Sequence, residues 1–302
     1  MASPLPLEAV KSHAPRGTLR RRLPQNDRIM TLNHSTSAFN VDVECRETMQ
    51  RRRFVRQFGM GFATALGLGL TSTWRSAQAQ SSGVTVRSLG HTSFLFEGNG
   101  RRILTNPFRS IGCTAGYPSP AVASDVVLIS SRLFDEGGLL EGLPGNPPIL
   151  SEQGEYELPP IRMKSVEVDH DREGGRRFGS NLIWRWEQGG LTFVHMGGAA
   201  APVSVEEQIQ LGRPDVMLVP VGGGPKAYDA EEAVAAIRAL NPRIVIPTHY
   251  RTAAADDETC DIAGLQPFLD RMSGTPTRQS GSTVSLSTGS LPSSGMVIQI
   301  MG

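Results

Sequence analysis

The stretch VMLVPVGGGPKAYDAEEAVAAIRALNPRIVIPTHY, residues 216–250, sets two apolar runs on either side of a segment that carries the marks of a helix. Val216 to Val221 is apolar without alternation, as a strand buried on both faces must be, and Arg243 to Pro247 is a second short run of the same kind. Between them, Ala230 to Leu240 spaces its apolar side chains for one face of a helix. Asp229 is placed to cap the first free amides, Glu231 and Glu232 lie in the first turn where the helix dipole favours anions, and Asn241-Pro242 stops the helix. Strand, helix, strand at this spacing implies parallel strands joined by a crossover. Gly222-Gly223-Gly224 follows the first strand but lacks the spacing and the Lys-Ser/Thr of a phosphate-binding loop.

Upstream the elements shorten and turn antiparallel. Val84 to Ser88, Thr92 to Glu97, Arg102 to Leu104 and Val126 to Ile129 read as strands, with Gly98-Asn99-Gly100 as a hairpin turn. Asn181 to Glu187 and Leu191 to His195 flank a second hairpin turn, Gln188-Gly189-Gly190, and Val205 to Leu211 reads as a helix. Towards the C-terminus, Thr283 to Leu286 and Met296 to Ile300 each supply a strand. Meanders combined with crossovers predict an α/β (α+β) domain over residues 80–302, with sheets covered by helices.

The charge is divided unevenly along the chain. Residues 1–79 carry 12 basic and 5 acidic side chains, and residues 80–302 carry 18 and 24. The part expected to fold is acidic, which argues against a nucleic-acid partner, because that footprint belongs on the folded domain. In the leader, Gln50 to Arg56 reads QRRRFVR, Phe58 to Thr73 is apolar but diluted by four glycines, and Ala77-Gln78-Ala79 ends it. Basic start, apolar middle and A-x-A end make residues 49–79 an export signal, and the paired arginines followed by Phe54 resemble the twin-arginine class. Its apolar part falls short of the roughly 20 residues of a membrane span, so no stable span is expected after cleavage. The destination is a periplasm or an equivalent extracytoplasmic compartment, the thylakoid lumen among them. Residues 1–48 have the composition of a disordered extension, with synthesis starting at Met49 as the alternative. Cys113 and Cys260 of the mature part either pair or remain free buried thiols.

Chemistry points to the four histidines of the mature part, His91, His170, His195 and His249, each at or just beyond the end of an expected strand. Here the sequence resembles a known family. Leu89-Gly90-His91-Thr92-Ser93-Phe94 with Thr105-Asn106-Pro107-Phe108, Asp169-His170-Asp171, Val194-His195-Met196-Gly197-Gly198, Val219 to Gly224 and Ile246-Pro247-Thr248-His249-Tyr250 occur in the order of the metallo-β-lactamase fold. The branch is similar to ascorbate-phosphate lactonases and other Zn-dependent hydrolases. The resemblance implies a four-layer αββα sandwich with its site at one edge of the two sheets.

The departures bear on activity. The family's T-H-x-H-x-D-H falls on Ser130 to Glu136, so Ser131, Leu133 and Glu136 stand where three ligand histidines belong and only Asp135 matches. The bridging aspartate of H-x-G-D falls on Gly198, and that of D-P-F on Asn106. Zinc needs three or four N, S or O donors. The half-site that keeps only His170 is therefore expected to be empty. The other half-site keeps Asp135 and His249, gains Glu136 and loses the bridge. Without two metals no hydroxide is held between them.

Three readings follow. The first is an exported, non-hydrolytic domain that keeps the cleft for a small molecule or protein partner. The second is a mononuclear metal-dependent hydrolase acting on a small ester, lactone or phosphodiester, anionic ones included. Its ligands are Asp135, Glu136 and His249 with His170, and zinc, manganese or iron is admissible as the one divalent ion. In the third, Glu136 with His170 or His91 does metal-free acid–base chemistry. Asp135, Glu136 and His170 are the catalytic candidates, His195 is expected to be structural, and Arg132, Arg172, Arg176 and Arg177 either line an anionic pocket or, as the default, form a solvated basic face.

Overall fold

Residues 83–139 and 141–302 are described by a computed structural model. The expected extension over residues 1–48 and the expected export signal over residues 49–79 lie outside the described residues. The chain enters through the antiparallel meander β1 (Val84–Gly90), β2 (Ser93–Gly98) and β3 (Arg101–Thr105). Asn99 (φ 52°) and Gly100 (φ 68°) adopt the left-handed backbone that a tight hairpin demands. β4 (Val126–Leu128) and β5 (Ile149–Leu150) extend this sheet in parallel, and β13 (Thr283–Leu286) closes its other edge against β1.

The second sheet begins antiparallel with β6 (Glu155–Leu158), β7 (Ile161–Asp169), β8 (Ser180–Gln188) and β9 (Leu191–His195). From β9 onward it is parallel, through β10 (Val216–Pro220), β11 (Ile244–Thr248), β14 (Val297–Met301) and β12 (Thr277–Ser280). β10 pairs with β11 from Val216↔Ile244 to Pro220↔Thr248 across the crossover helix α2 (Ala230–Leu240), as the sequence implies. Asp229 caps that helix by accepting the Glu231 and Glu232 amides, and Asn241 ends it in left-handed backbone (φ 47°). The shorter helices are α1 (Val205–Leu211) and α3 (Gln266–Arg271).

The two sheets bury an aromatic core between them. Trp186 stacks on Phe193 with ring centroids 5.3 Å apart, and Phe96 meets Trp186 edge-on at 4.8 Å. Each such fully buried side chain contributes about 1.5–3 kcal/mol. The outer face of the second sheet packs Val219, Val245 and Ile298 against Ala233 and Ile237 of α2 and Phe268 of α3. The outer face of the first sheet, Leu95, Leu104 and Val127, is covered by Ala121, Val122, Leu139 and Leu143. The two-sheet α/β core thus agrees with expectation. Among the described residues, though, the layer over the first sheet is irregular chain, so the helices sit on one side only. Cys113 and Cys260 form a disulfide with Cα atoms 4.6 Å apart, which resolves the alternative left open by the sequence. Among the described residues no helix is long and apolar enough to cross a membrane.

Candidate active site: a buried carboxylate, histidine and lysine cluster

Six loops leave their strands at one edge of the sandwich. His91 lies between β1 and β2, Glu136 after β4, His170 after β7, Gly198 after β9, Lys226 after β10 and His249 after β11. The carboxyl ends of parallel strands are where such folds place their ligands. Six non-glycine residues of the described chain have positive φ, and three of them, His91 (55°), Asn106 (43°) and His249 (51°), are at this edge. Left-handed backbone is unfavourable for histidine and persists only where the surroundings fix it. Two asparagines pin neighbouring loops of the same edge. Asn106 accepts the Ser130 amide (2.7 Å) and donates to Ser130 Oγ (3.2 Å), while Asn181 accepts the Gly198 amide and donates to the Met196 carbonyl (both 2.9 Å).

Glu136 is the centre of the cluster, with a side chain that is fully buried. Its Oε2 accepts from His170 Nε2 at 2.8 Å and from Ser131 Oγ at 3.2 Å. A carboxylate can only accept, so His170 carries a proton on Nε2. On the other oxygen, Oε1, His249 Nε2 lies at 3.1 Å and Lys226 Nζ at 3.4 Å. Lys226 also donates to both oxygens of Asp135, at 2.5 and 2.6 Å. The ring of His91 tilts against that of His249 with centroids 4.2 Å apart.

Charge follows from this geometry. Burial alone would raise the pKa of Glu136, but the attraction of His170 and Lys226, the hydrogen bond of His170 and the close approach of His249 hold it well below the usual carboxylate range. Burial opposes the charge of Lys226, and Glu136 and Asp135 more than compensate, so its pKa is raised and it remains an ammonium. Burial, then the neighbouring His249 and Lys226, push His91 well below the usual imidazole value against the opposing pull of Glu136, which keeps it neutral. His195 is pushed down to about 4, chiefly by burial. It holds Thr92 O through Nε2 and accepts the Gly197 amide on Nδ1, both at 3.0 Å, and so fills the structural role expected of it.

The expected site residues therefore come together, with three corrections. The bridge expected to be lost at Gly198 is replaced. A Cβ on Gly198 would lie 2.3 Å from Glu136 Oε2 and 2.5 Å from His170 Nε2, so the Glu136 carboxylate fills the space that an aspartate there would need. His170, expected alone in an empty half-site, is tied to Glu136 instead. Ligand-capable atoms of His91, Asp135, Glu136 and His249 lie within 4.8 Å of one another, so His91 takes the place that the sequence reading gave to His170. Lys226 was missed. It is one of only three lysines among 30 basic residues, and a lysine in an arginine-rich chain was the available signal for a compact, buried point charge. Of the arginines, Arg172 pairs with Glu232 rather than standing free in solvent, and Asp171 accepts the amides of Glu173, Gly175, Arg177 and Phe178, which shapes the loop after His170.

The donor set decides which metals fit. Around His170, Ser131 is a weak ligand and Leu133 none, and the remaining carboxylate is already bonded, so a dinuclear centre does not fit. Around His249 the donors of a single divalent ion are present, but the Lys226 ammonium sits among them. A cation would enter only by displacing it.

A two-sheet sandwich with histidines, aspartate and glutamate gathered at the strand ends defines the metallo-β-lactamase class. Residues 85–249, more than half of the chain, match the family described as the β-lactamase superfamily domain, and the chain belongs to that family. It is 29% identical over 206 residues to a UPF0173 metal-dependent hydrolase of Thermococcus onnurineus, covering 58% of this chain and 89% of that one. The structure of a protein from Thermotoga maritima described as a putative Zn-dependent hydrolase of the metallo-β-lactamase superfamily aligns with a TM-score of 0.58 at 25% identity, covering 72% of this chain and 98% of that one. A metallo hydrolase structure from Ignicoccus hospitalis shares the fold, with a TM-score of 0.51 at 21% identity over 68% of this chain and 98% of the other.

Proposed function

We propose that this chain is an exported metallo-β-lactamase-fold domain in which the Lys226 ammonium stands in for the second metal ion, and which binds a ligand without hydrolysing it. The observation that carries the reading is the bidentate contact of Lys226 with Asp135 and its approach to Glu136. An ammonium balances the two carboxylates, yet it can neither polarise a carbonyl as a Lewis acid nor lower the pKa of a bound water. Asp135 and Glu136 then hold the cleft together rather than act on a substrate. A low pKa also makes Glu136 a weak general base, which counts against metal-free acid–base chemistry.

The ligand would lie in the cleft above, about 580 Å³ in volume and lined by Leu133, Phe134, Asp135, Phe178, Pro225 and Lys226. Phe134 is 58% exposed and Ile111, also at this cleft, is 46% exposed, so its rim offers apolar surface. An apolar small molecule or a protein segment with an apolar anchor suits it. Export is supported by the Cys113–Cys260 disulfide, which suits an oxidising compartment.

A second reading has its own support. Glu136 Oε1 and both ring nitrogens of His249 are buried without a hydrogen-bond partner of good geometry. Asp135, Glu136, His249 and His91 would hold one zinc, manganese or iron ion if Lys226 swung away, and that ion would supply the Lewis acid of a mononuclear hydrolase. Metal analysis of the mature protein, purified without a histidine tag, separates the two. The first reading expects well under one equivalent of metal and no hydrolysis of ester, lactone or phosphodiester probes. One tightly bound equivalent with hydrolysis selects the second, and two equivalents overturn both.

A further inference from the structure

His91 and His249 also line a cavity that shares no lining residue with the cleft over Asp135 and Lys226. It holds about 400 Å³, which suits a small organic molecule. Arg87 is the one lining side chain with a fixed charge, and no aspartate or glutamate lines the cavity. Among the described residues Arg87 has no carboxylate partner, Gly302 at the cavity's edge included. Its Nε is buried without a hydrogen-bond partner, as are both ring nitrogens of His91. Buried donors are seldom left unmet in a folded protein, because each costs its full desolvation.

The walls are apolar and held in place. Pro118, Pro120 and Pro247 contribute, with the rings of Tyr117 and Tyr250. The Tyr117 ring lies where a Cβ on Gly90 would be, 2.6 Å from its nearest carbon, so Gly90 is what lets the ring lie flat there. Tyr117 Oη is bonded to Thr252 Oγ1 at 2.7 Å, and Tyr250 Oη donates to Met301 O at 3.2 Å. Two of the lining residues, His91 and His249, hold left-handed backbone. The result is a preformed apolar cavity with one cationic side chain, unmet donors and no acidic side chain.

We propose that this cavity is a second binding site, for a small monocarboxylate with an aromatic or branched apolar body. The carboxylate pairs with Arg87, a ring N–H of His91 supplies a further donor, and the tyrosine and proline walls hold the apolar body. The proposal does not rest on the reading of Lys226 given above: His91 and His249 border both sites, but Arg87 and the tyrosine and proline walls that define this one lie outside the other cleft.

Calorimetric titration of the mature protein with benzoate, and with benzamide as a neutral isostere, tests it. One saturable benzoate site is expected, with benzamide about tenfold weaker or more, as loss of a hydrogen bond to a charged group implies. Arg87→Met should weaken benzoate by a similar factor, and Arg162→Met, at an exposed arginine that lines neither cleft, should leave it unchanged. Should Arg87→Met fail to fold, the benzoate–benzamide difference in the wild-type protein, read together with benzoate-induced shifts of the His91 imidazole resonances, carries the test. Absence of saturable benzoate binding, equal affinity for benzamide, or retained affinity in Arg87→Met would each overturn the proposal. So would loss of binding in Arg162→Met, because that shows a response to net charge rather than to the cavity.

Discussion

Replacing Lys226 with methionine keeps the apolar stem of the side chain and removes the ammonium, with its charge and its donors. Asp135 then loses the donor to both of its oxygens, while Glu136 keeps its bonds to His170 and Ser131 but loses one of its cationic neighbours. Breaking a fully buried ion pair costs about 3–5 kcal/mol. Asp135 is 20% exposed and the Lys226 side chain 14%, so water relieves part of the loss, whereas Glu136 has no exposure at all. A cost near the lower bound, about 3 kcal/mol, follows. At roughly 2–4 °C per kcal/mol for a domain of this size, the melting temperature should fall by about 6–12 °C. The variant has room for a divalent cation among the same carboxylates. A cation at a hundredfold excess over its Kd would return about 2.7 kcal/mol. Thermal unfolding of both proteins with chelator, and with added manganese or zinc, measures each term. The wild type should be indifferent to chelator, and the variant should be rescued by metal. An unshifted variant, or a wild type that chelator destabilises as much as metal stabilises the variant, would refute the account of Lys226.

Gly198→Ala should destabilise by about 1–3 kcal/mol or more in chemical denaturation, because its methyl group meets Glu136 and His170, neither of which can retreat. Asp171 has a folded-state pKa of about 2, the net result of burial raising it and four backbone amides lowering it further. Against about 3.9 in the unfolded chain, its stabilisation is complete above that value and fades as pH falls towards 2. Asp171→Asn should therefore lower the urea midpoint at neutral pH, and the two proteins should converge near pH 2. Reduction of the Cys113–Cys260 bond, which spans 147 residues, should lower the melting temperature, with a chain-entropy upper estimate of about 5 kcal/mol; thiol titration of the unreduced mature protein should find neither cysteine. Replacing Arg51 and Arg52 with lysine should block export, read by fractionation, and normal export of that variant would point to another route.

The parallel half of the second sheet was legible because its strands are buried on both faces, and Asp229 and Asn241-Pro242 punctuate the helix between β10 and β11. β7 was not. Its buried Ile161, Met163 and Val168 alternate with Arg162, Glu167 and Asp169, and Ser165 and Val166, both buried, break the alternation. β5, β6, β12 and α3 are two to six residues long and form against neighbours that no local pattern names. For the site, order along the chain was enough to gather Asp135, Glu136, His170 and His249, because each follows a strand of the same sandwich. Which of them touch could not be read, since that depends on the depth of Glu136 beneath Gly198 and on Lys226, 90 residues further along the chain from Glu136.

Gly198 also constrains the routes by which such a site can change. With the backbone and the Glu136 side chain as they stand, a side chain at 198 and the carboxylate of Glu136 compete for one space, since the first atom of the former would lie 2.3 Å from the latter. The least costly path of single substitutions between an aspartate at 198 and a glutamate at 136 passes through a chain that has neither. Redesign towards a metal-binding site inherits the same ordering. Position 136 has to be cleared before 198 is filled, and attempts in the reverse order meet a folding defect before any question of chemistry arises.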